Sequence, residues 1–281
     1  MPLYSETLSL PPSTFAILRD LIHERTGLYY AEDQRDMLAD KLSPRVIALG
    51  FGSFLDYYYL LKYDAASDEE WRALLNALSV QETFFCREAD QVRTLVEVLI
   101  PQYVAANPGV TVRIWSAACA TGEEPLSIAM ALDQAGWFSR APITILASDA
   151  SSAAIEKARS GLYRDRSFRS VPESLRARYF TAAGGAWRID PQIHARVTWA
   201  VANVTVDEEI RHLSTAPFIF CRNAFIYFSE RTIRKTVDLF RTYQPTPGYL
   251  FVGASESLLR ITTSYQLCEI GGTFVYVKGA C

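Results

Sequence analysis

Two adjacent acids stand in a turn that is otherwise built from small residues. The segment Ser116–Pro125, SAACATGEEP, carries Glu123 and Glu124 just before an apolar helical pattern. Small side chains let a ligand lie close to the backbone, as in the first turn of nucleotide-binding units. A helix N-terminus favours anions, but two carboxylates beside it would repel a phosphate. The turn therefore predicts a ligand that is cationic or rich in hydroxyl groups.

A third acid, Asp149, ends the buried run Ile143–Ser148. It follows the small-residue turn at about the distance where nucleotide-binding βαβ units place a carboxylate on ribose hydroxyls. An Asp at a strand end can also cap the next helix, because its side chain accepts hydrogen bonds from backbone N–H groups. The order of elements leaves both roles open.

Two more polar groups accompany apolar segments. Arg222 and Asn223 follow the run Pro217–Cys221, at the strand end where open α/β sheets bind their ligands. The segment Gln81–Arg87, QETFFCR, places two aromatic residues before Arg87. It is either a buried connection in which Arg87 pairs with an acid, or an aromatic and cationic cover over a ligand.

The elements before this connection predict a small all-α domain over residues 1–80. Ser13 is the predicted cap of a first helix that stops at Gly27, and a second helix runs from near Ala31 to Gly50. Further helical segments are expected over 53–61 and from 67 to about 80.

The second helix is also basic. Arg35, Lys41 and Arg45 recur along it, either as a docking stripe or as a solvated face. Pro44 lies inside the same pattern and predicts a kink or a restart.

After a helix over 88–106, strand and helix patterns alternate, which predicts a mostly parallel sheet with helices on both faces. The pieces Trp187–Asp190 and Ala195–Ala202 predict a small antiparallel hairpin, giving a β-subdomain over about 184–202. A second hairpin, 265–269 with 273–278, closes the chain.

Composition narrows the class of protein. The 281 residues are 49% hydrophobic and carry a formal net charge of -3, so nothing indicates nucleic-acid binding. No apolar run approaches the ~20 residues of a membrane span, and no secretion signal is visible. The five cysteines are scattered, and the three histidines lack metal-ligand spacing. We expect a cytoplasmic globular protein with reduced thiols and no metal site.

Taken together, the motifs SAACATGEEP, ASD, FCRNAFIYF, GASESL and QETFFCRE resemble the chemotaxis-receptor protein-glutamate methyltransferase family (CheR). The resemblance covers nearly the whole chain, and the combination of motifs in this order is highly specific. It implies a Rossmann-like class I methyltransferase domain over 91–281, with a small β-hairpin subdomain. A linker at 81–90 would close over the cofactor, and the all-α domain at 1–80 would dock on the receptor.

The family transfers the methyl group of S-adenosylmethionine to glutamate side chains on receptor helices, giving methyl esters and S-adenosylhomocysteine. The resemblance implies that Arg87 and Thr83 close over the methionine end of the cofactor and that Tyr227 lies near the transferred methyl group. Arg87, Arg222 and Tyr227 are the implied catalytic residues. The implied cofactor-binding residues are Gln81, Thr83, Arg87, Ala117, Glu124, Asp149 (on the ribose), Asn203 and Val204 (by the adenine), Arg222 and Asn223.

The chemistry agrees with these residue types. A glutamate carboxylate, with a reference pKa of ~4.3, is already ionised at neutral pH, so no strong general base is required. No Ser-His-Asp or Cys-His set is visible. Arg222 and Tyr227 are candidates for steering the substrate carboxylate, and alignment of the reactants can supply ~7–11 kcal/mol. Cys119 and Cys221 are interpreted as small core residues.

The expected partners are the cytoplasmic helices of methyl-accepting chemoreceptors, bound by a monomer. Some family members hold a receptor pentapeptide with a β-hairpin, but the segment Phe180–Asn203 is compact, so we expect independence from it. Two alternatives remain open: a methyltransferase of this fold acting on another protein or a small acid, and a non-catalytic cofactor-sensing signalling module.

Overall fold

The computed structural model describes residues 7–64 and 67–280. Its contacts divide the chain into two compact units. Residues 1–80 and 227–232 form a helical unit, and residues 81–226 and 233–281 form an α/β unit.

The helical unit is built from four short helices with a single apolar core. Gly27 ends the first helix in the left-handed conformation, with φ of 83°. The predicted cap at Ser13 is wrong, because the helix begins at Pro12 and its N-cap residue is Pro11, two residues before Ser13, without a side-chain cap. The helices are α1 Pro12–Thr26, α2 Arg35–Ala48, α3 Phe54–Tyr63 and α4 Ser67–Leu78, with a 3₁₀ turn at Glu32–Gln34.

The basic residues of α2 are bound within the unit. Arg45 forms a hydrogen-bonded ion pair with the buried carboxylate of Glu70, which also accepts a 2.7 Å bond from Tyr57 Oη. Lys41 Nζ donates to the last carbonyl of α4, Leu78 O, at 3.0 Å. Of the three predicted stripe residues, Arg35 is the one that pairs only with an exposed neighbour, Asp36. The other two hold α2 against α4.

The α/β unit contains a seven-stranded sheet in the order β6-β2-β1-β7-β8-β10-β9. The first five are parallel, and β10 and β9 are antiparallel. The predicted fold class is thereby confirmed. Its strands are β1 Val112–Ala117, β2 Ile143–Asp149, β3 Leu162–Tyr163, β4 Phe180–Ala183, β5 Ala186–Ile189, β6 Val197–Val201, β7 Phe218–Phe220, β8 Gly248–Phe251, β9 Gln266–Ile270 and β10 Thr273–Lys278.

Helices cover both faces of this sheet. Their apolar sides enclose a core that includes Ile114, Leu126, Ile145 and Phe218, all fully buried. The helices are α5 Ala89–Thr94, a π-helical segment Leu95–Leu99, α6 Ile100–Ala106, α7 Glu123–Gln134, α8 Ser152–Ser160, α9 Glu173–Tyr179, α10 Pro191–His194, α11 Asp207–Ile210 and α12 Glu230–Tyr243, with 3₁₀ turns at Trp137–Ser139, Asp165–Phe168 and Phe225–Tyr227.

The prediction that Trp187–Asp190 and Ala195–Ala202 pair with each other as a hairpin is wrong. Trp187 lies in β5, which pairs with β4 across Gly184-Gly185 and with β3 on its other side. The segment predicted as the second arm is β6, which runs parallel to β2 at the edge of the main sheet. The small antiparallel sheet is therefore formed by β3, β4 and β5, and it extends upstream of the predicted 184–202.

Candidate functional site

Strained backbone gathers at the carboxyl ends of the parallel strands. Among the described residues, five that are not glycine have positive φ: Cys86, Glu88, Ala118, Ala120 and Asn223. They lie in the turn after β1, in the connection before α5 and in the loop after β7. Such conformations cost about 1–3 kcal/mol each and cluster at functional sites.

The turn after β1 requires glycine at its last position. Gly122 has φ of 94° and precedes the first residue of α7. A Cβ there would stand 2.7 Å from the Trp199 ring, which lies on β6, and 3.0 Å from Ala158 Cβ. The small residues of the motif thus fit two requirements, a left-handed turn and close packing against the neighbouring strand.

Asp149 organises the same turn from the end of β2. Its Oδ2 accepts the Ala120 N–H at 2.9 Å, and its Oδ1 accepts the Ser151 N–H at 2.8 Å. Burial raises the pKa of Asp149 above its usual range, and these two N–H groups partly oppose that rise. The cap of α8 is Ser151, whose hydroxyl accepts the Ala154 N–H at 3.1 Å, so the capping role that the sequence left open for Asp149 is wrong. Each carboxylate oxygen can still accept a second hydrogen bond.

Glu124, in the first turn of α7, and Arg222, in the loop after β7, form a buried ion pair. Arg222 Nε donates to Glu124 Oε2 at 2.5 Å, and Ser116 Oγ donates to Glu124 Oε1 at 2.6 Å. Arg222 Nη1 lies 3.3 Å from Gln91 Oε1 and 3.6 Å from Glu88 Oε2. The Arg222 side chain is only 3% exposed, so its main observed contacts are internal.

Glu123 turns away from this pair. Its carboxylate, 2% exposed, accepts hydrogen bonds from Thr121 Oγ1 at 2.7 Å and Ser167 Oγ at 2.9 Å. Burial raises the pKa of Glu123, while the two hydroxyls oppose the rise. The two acids of the motif therefore have different contacts. Glu124 pairs with Arg222, whereas Glu123 links the start of α7 to the 3₁₀ turn at Asp165–Phe168.

The connection from Gln81 to Arg87 is anchored in the small sheet. Phe85 is fully buried against the rings of Tyr163, Phe168 and Phe180, with centroids 4.8–5.3 Å away. Its N–H donates to Ser167 O at 2.9 Å. This segment is thus a fixed strap on the α/β unit.

Arg87 lies at the end of this strap. Its guanidinium rests 5.4 Å from the Phe84 ring centroid and donates to Glu82 O at 3.4 Å. Among the described residues, no carboxylate lies within 4 Å of it, whereas Arg169, over the same ring, pairs with Glu82 at 3.0 Å. The sequence interpretation in which Arg87 pairs with an acid is therefore wrong. Thr83 is half-buried in the same strap.

Four other predicted contacts, Gln81, Ala117, Asn203 and Val204, belong to the α/β unit. Gln81 is held by Lys157 Nζ at 2.7 Å and lies 3.5 Å from Ser151 Oγ. Asn203 follows β6, and its Oδ1 accepts from the N–H and hydroxyl of Thr205. Ala117, Asn203 and Val204 are all buried. The Asn203 side chain thus shapes its own loop.

Sequence reasoning gave no role to Glu256, although it lies in the GASESL motif. Its carboxylate accepts four backbone N–H groups, those of Asn223, Phe225, Ile226 and Gly253, at 2.7–3.3 Å. Burial raises the pKa of Glu256, and these four donors oppose the rise. Glu256 therefore fixes the loop that follows Arg222. An acid beside two small residues after a buried strand was the available signal.

Tyr227 belongs to the helical unit, unlike the other predicted site residues. It ends the 3₁₀ turn Phe225–Tyr227, directly after the loop that Glu256 binds. Its carbonyl accepts the Tyr29 N–H at 2.9 Å.

The cysteines near the turn are core residues. Cys119 and Cys221 are buried free thiols, and burial raises the pKa of both well above the usual range, which keeps them protonated. Cys86 is also free, but Cys268 is disulfide-bonded, so the expectation of reduced thiols is wrong for that residue. Over the described ranges, no group of His, Cys, Asp and Glu could hold a metal ion.

The arrangement fits a ligand with both cationic and anionic ends. Acids at the ends of β1 and β2 can face hydroxyls and positive charge, and Arg87 offers an uncompensated guanidinium for a carboxylate. S-adenosylmethionine has these groups: a ribose diol, a sulfonium and an amino acid. A sheet of this order with acids at these strand ends defines a Rossmann-like methyltransferase of class I.

The comparisons narrow the class to a family. Residues 81–273 match the model of the CheR methyltransferase, SAM binding domain, and residues 13–79 match that of the CheR methyltransferase, all-alpha domain. Chemotaxis protein methyltransferase 2 of Vibrio cholerae serotype O1 is 34% identical, over 94% of this chain and 92% of the relative. The chemotaxis protein methyltransferase of Escherichia coli K12 is 32% identical, over 94% and 91%. The chain belongs to the CheR methyltransferase family and is an S-adenosylmethionine-dependent enzyme.

The chain also resembles solved structures of distant methyltransferases. Magnesium protoporphyrin IX methyltransferase from Synechocystis PCC 6803 with bound SAM has a TM-score of 0.35 and 10% identity, covering 79% of this chain and 93% of that chain. Similarity of that size carries no argument about function. In the part of the chain that is described, no helix combines the length and apolar character needed to cross a membrane.

Proposed function

We propose that this enzyme methylates glutamate side chains on the cytoplasmic helices of chemoreceptors, producing glutamate methyl esters and S-adenosylhomocysteine. Family membership supports the reaction class. The observation that carries the proposal is the pairing of opposite charge in one unit, with the acids Glu124 and Asp149 at the strand ends and Arg87 on the strap.

Except for Arg222 and Asn223, the cofactor contacts named below keep their predicted roles in this proposal. Asp149 would bind the ribose through the acceptor sites that Ala120 and Ser151 leave open. Arg87 would bind the carboxylate of the methionine end, with Thr83 beside it. Asn203 and Val204 would face the adenine, and Gln81 and Ala117 would complete the walls. Arg222 and Asn223 would hold Glu124 and the loop after β7 in place.

When bound, the cofactor supplies an electrophilic methyl group on a leaving sulfonium. The chain needs to orient an ionised glutamate and to exclude water. It does not need to stabilise a new charge, because the positive sulfonium and the negative carboxylate neutralise each other in the displacement. Arg222 is largely committed to Glu124 and Glu88. Tyr227 is therefore the better candidate for orienting the substrate carboxylate, through its phenol.

The predicted all-α domain, residues 1–80, is proposed to dock on receptor helices. Arg35 is the basic residue of α2 that supports this, because Lys41 and Arg45 are bound internally. The strap at 81–90 is proposed to cover the cofactor of the methyltransferase domain, 91–281. The hairpin of β4 and β5 has four residues in each strand, which supports independence from a receptor pentapeptide. We propose a cytoplasmic monomer.

Transfer of labelled methyl from S-adenosylmethionine to purified receptor cytoplasmic fragments tests this proposal. Wild-type enzyme should give label that mild base releases, and a fragment whose methylation-site glutamates are replaced by alanine should take none. Equal labelling of fragments with and without a C-terminal pentapeptide is expected. Cofactor binding without any transfer would favour a sensor, and base-stable label would favour a different acceptor.

A further inference from the structure

The chain that follows α1 is hydrogen-bonded to the segment that carries Tyr227. After Gly27 turns the chain, Leu28 and Phe228 form an antiparallel bridge. Tyr29 N–H donates to Tyr227 O at 2.9 Å. The backbone on both sides of Tyr227's carbonyl is therefore tied to the helical unit, to which residues 227–232 belong.

His23, one turn before the end of α1, secures the other side of this segment. Its Nε2 lies 2.9 Å from Ser229 Oγ and 3.0 Å from Thr232 Oγ1. Ser229 Oγ also accepts the Thr232 N–H at 3.2 Å, so the same hydroxyl starts α12. The His23 ring packs edge-on against Tyr29 at 5.6 Å. The imidazole of His23, on α1, thus contacts both the start of α12 and Tyr29, which lies beside the Leu28–Phe228 bridge.

The Tyr227 side chain lies near a second, buried phenol. Tyr30 is 6% exposed. Burial, and then the phenol of Tyr227, raise the pKa of Tyr30 to about 12. Tyr30, which follows Tyr29 in the chain, is therefore also close enough to Tyr227 to interact with its phenol.

We propose that His23, Gly27, Leu28 and Tyr29, here called the α1 clamp, form a positioning element that sets the orientation of Tyr227 for methyl transfer. The inference rests on the proposed role of Tyr227. It extends that role by naming the residues that would hold the backbone of Tyr227.

The size of the effect follows from alignment. A displacement requires a near-linear approach, and a misplacement of about 1 Å can cost ~100-fold in rate. Without His23, the Ser229 and Thr232 hydroxyls lose a shared partner, and the peptide carrying Tyr227 gains freedom. Cofactor binding rests on residues of the other unit and should be unaffected.

The kinetic constants of three variants distinguish a loss of Tyr227 positioning from a general loss of protein structure. His23→Ala should lower kcat about ten-fold with KM for S-adenosylmethionine unchanged within about two-fold. His23→Gln should restore most of kcat, because its amide can replace Nε2 toward the two hydroxyls. Glu24→Ala, an exposed neighbour on α1, is the matched control and should behave as wild type. Equal kcat in His23→Ala and wild type overturns the proposal.

A double-mutant cycle identifies the residue through which the clamp acts. If it acts on Tyr227, His23→Ala should have little further effect on kcat in a Tyr227→Phe background. Fully additive losses would overturn the assignment. Wild-type kcat in Tyr227→Phe alone would also overturn it, while leaving the proposed reaction intact.

Hydrogen exchange supplies a readout that needs no substrate. In His23→Ala, amides of residues 27–32 and 226–232 should exchange at least about ten-fold faster, with residues 112–122 unchanged. Unchanged exchange in both segments overturns the clamp even if the protein methylates nothing. Absence of transfer by wild type, with the predicted exchange pattern, would count against the proposed reaction and support the clamp.

Discussion

Arg222 Nε stands 2.5 Å from Glu124 Oε2, in a pair whose side chains are 3% and 12% exposed. The pair joins the start of α7 to the loop after β7, and Arg222 also contacts Glu88 and Gln91 on the side of α5. Burial of this ion pair makes the second acid of the motif structural as well as a candidate ligand. The geometry of the proposed cofactor site therefore depends on this internal neutralisation of charge.

Arg222→Met should lower the free energy of unfolding by about 3–5 kcal/mol, because Glu124 is left buried without its partner. Urea unfolding at neutral pH measures this. Arg178→Met is the matched control, since its ion pair with Asp133 is exposed and worth about 0–1 kcal/mol. Equal losses of unfolding free energy in the two variants would contradict the claim that the buried ion pair contributes more to stability than the exposed one.

Arg87→Ala should weaken S-adenosylmethionine binding by about ten- to a hundred-fold, the loss of one charge-assisted hydrogen bond. Calorimetry on the purified variants checks this. Arg169→Ala removes the other guanidinium over Phe84, at 3.9 Å from the ring centroid, and should bind as wild type. If the Arg169 variant loses more affinity than the Arg87 variant, the assignment of Arg87 is wrong.

Gly122→Ala should cost about 3 kcal/mol of unfolding free energy, since φ is 94° and the new Cβ meets Trp199 at 2.7 Å. Gly184→Ala isolates the backbone part of this cost, because φ is also positive there but nothing lies within 4 Å. That control should lose only about 1 kcal/mol. Similar thermal midpoints for the two variants would contradict the packing argument.

Local signals predicted most of the elements but few of the contacts. Gly27 and the apolar runs at β2 and β7 placed helix ends and strands correctly, since caps and burial act over a few residues. The partner of Arg222 was missed, because Glu124 lies 98 residues away. The pairing of β6 was missed for the same reason: alternation looks alike in a hairpin arm and in a parallel edge strand.

The predicted helix 88–106 shows a different limit. It is interrupted by the π-helical segment Leu95–Leu99, just before Pro101 in the first turn of α6. Proline has no N–H to donate and its ring crowds the preceding turn, which favours such an adjustment. Pro44, by contrast, lies inside a continuous α2. The kink or restart predicted at Pro44 is wrong, and the adjustment before Pro101 was not predicted.

Glu123 should give the protein a distinctive pH dependence. Burial raises its pKa in the folded state, so between the unfolded and folded pKa values the folded chain holds more protons, and stability falls as pH rises. The unfolding free energy of wild type relative to Glu123→Gln should therefore decrease from pH 4.5 upward and level off above the raised pKa. Urea titrations at several pH values test this. Glu97→Gln, at an exposed site, should show no such trend, and a difference that grows with pH would contradict the sign.

Mass spectrometry of a receptor cytoplasmic fragment after incubation with S-adenosylmethionine tests the central claim most directly. We expect wild-type enzyme to add methyl mass to glutamate-containing peptides, with mild base removing it and one S-adenosylhomocysteine formed per ester. Asp149→Asn should lose most of this activity at low cofactor concentration, whereas Glu156→Gln, exposed on α8, should retain it. Methyl mass on another residue type, or full activity in the Asp149 variant, would contradict the account.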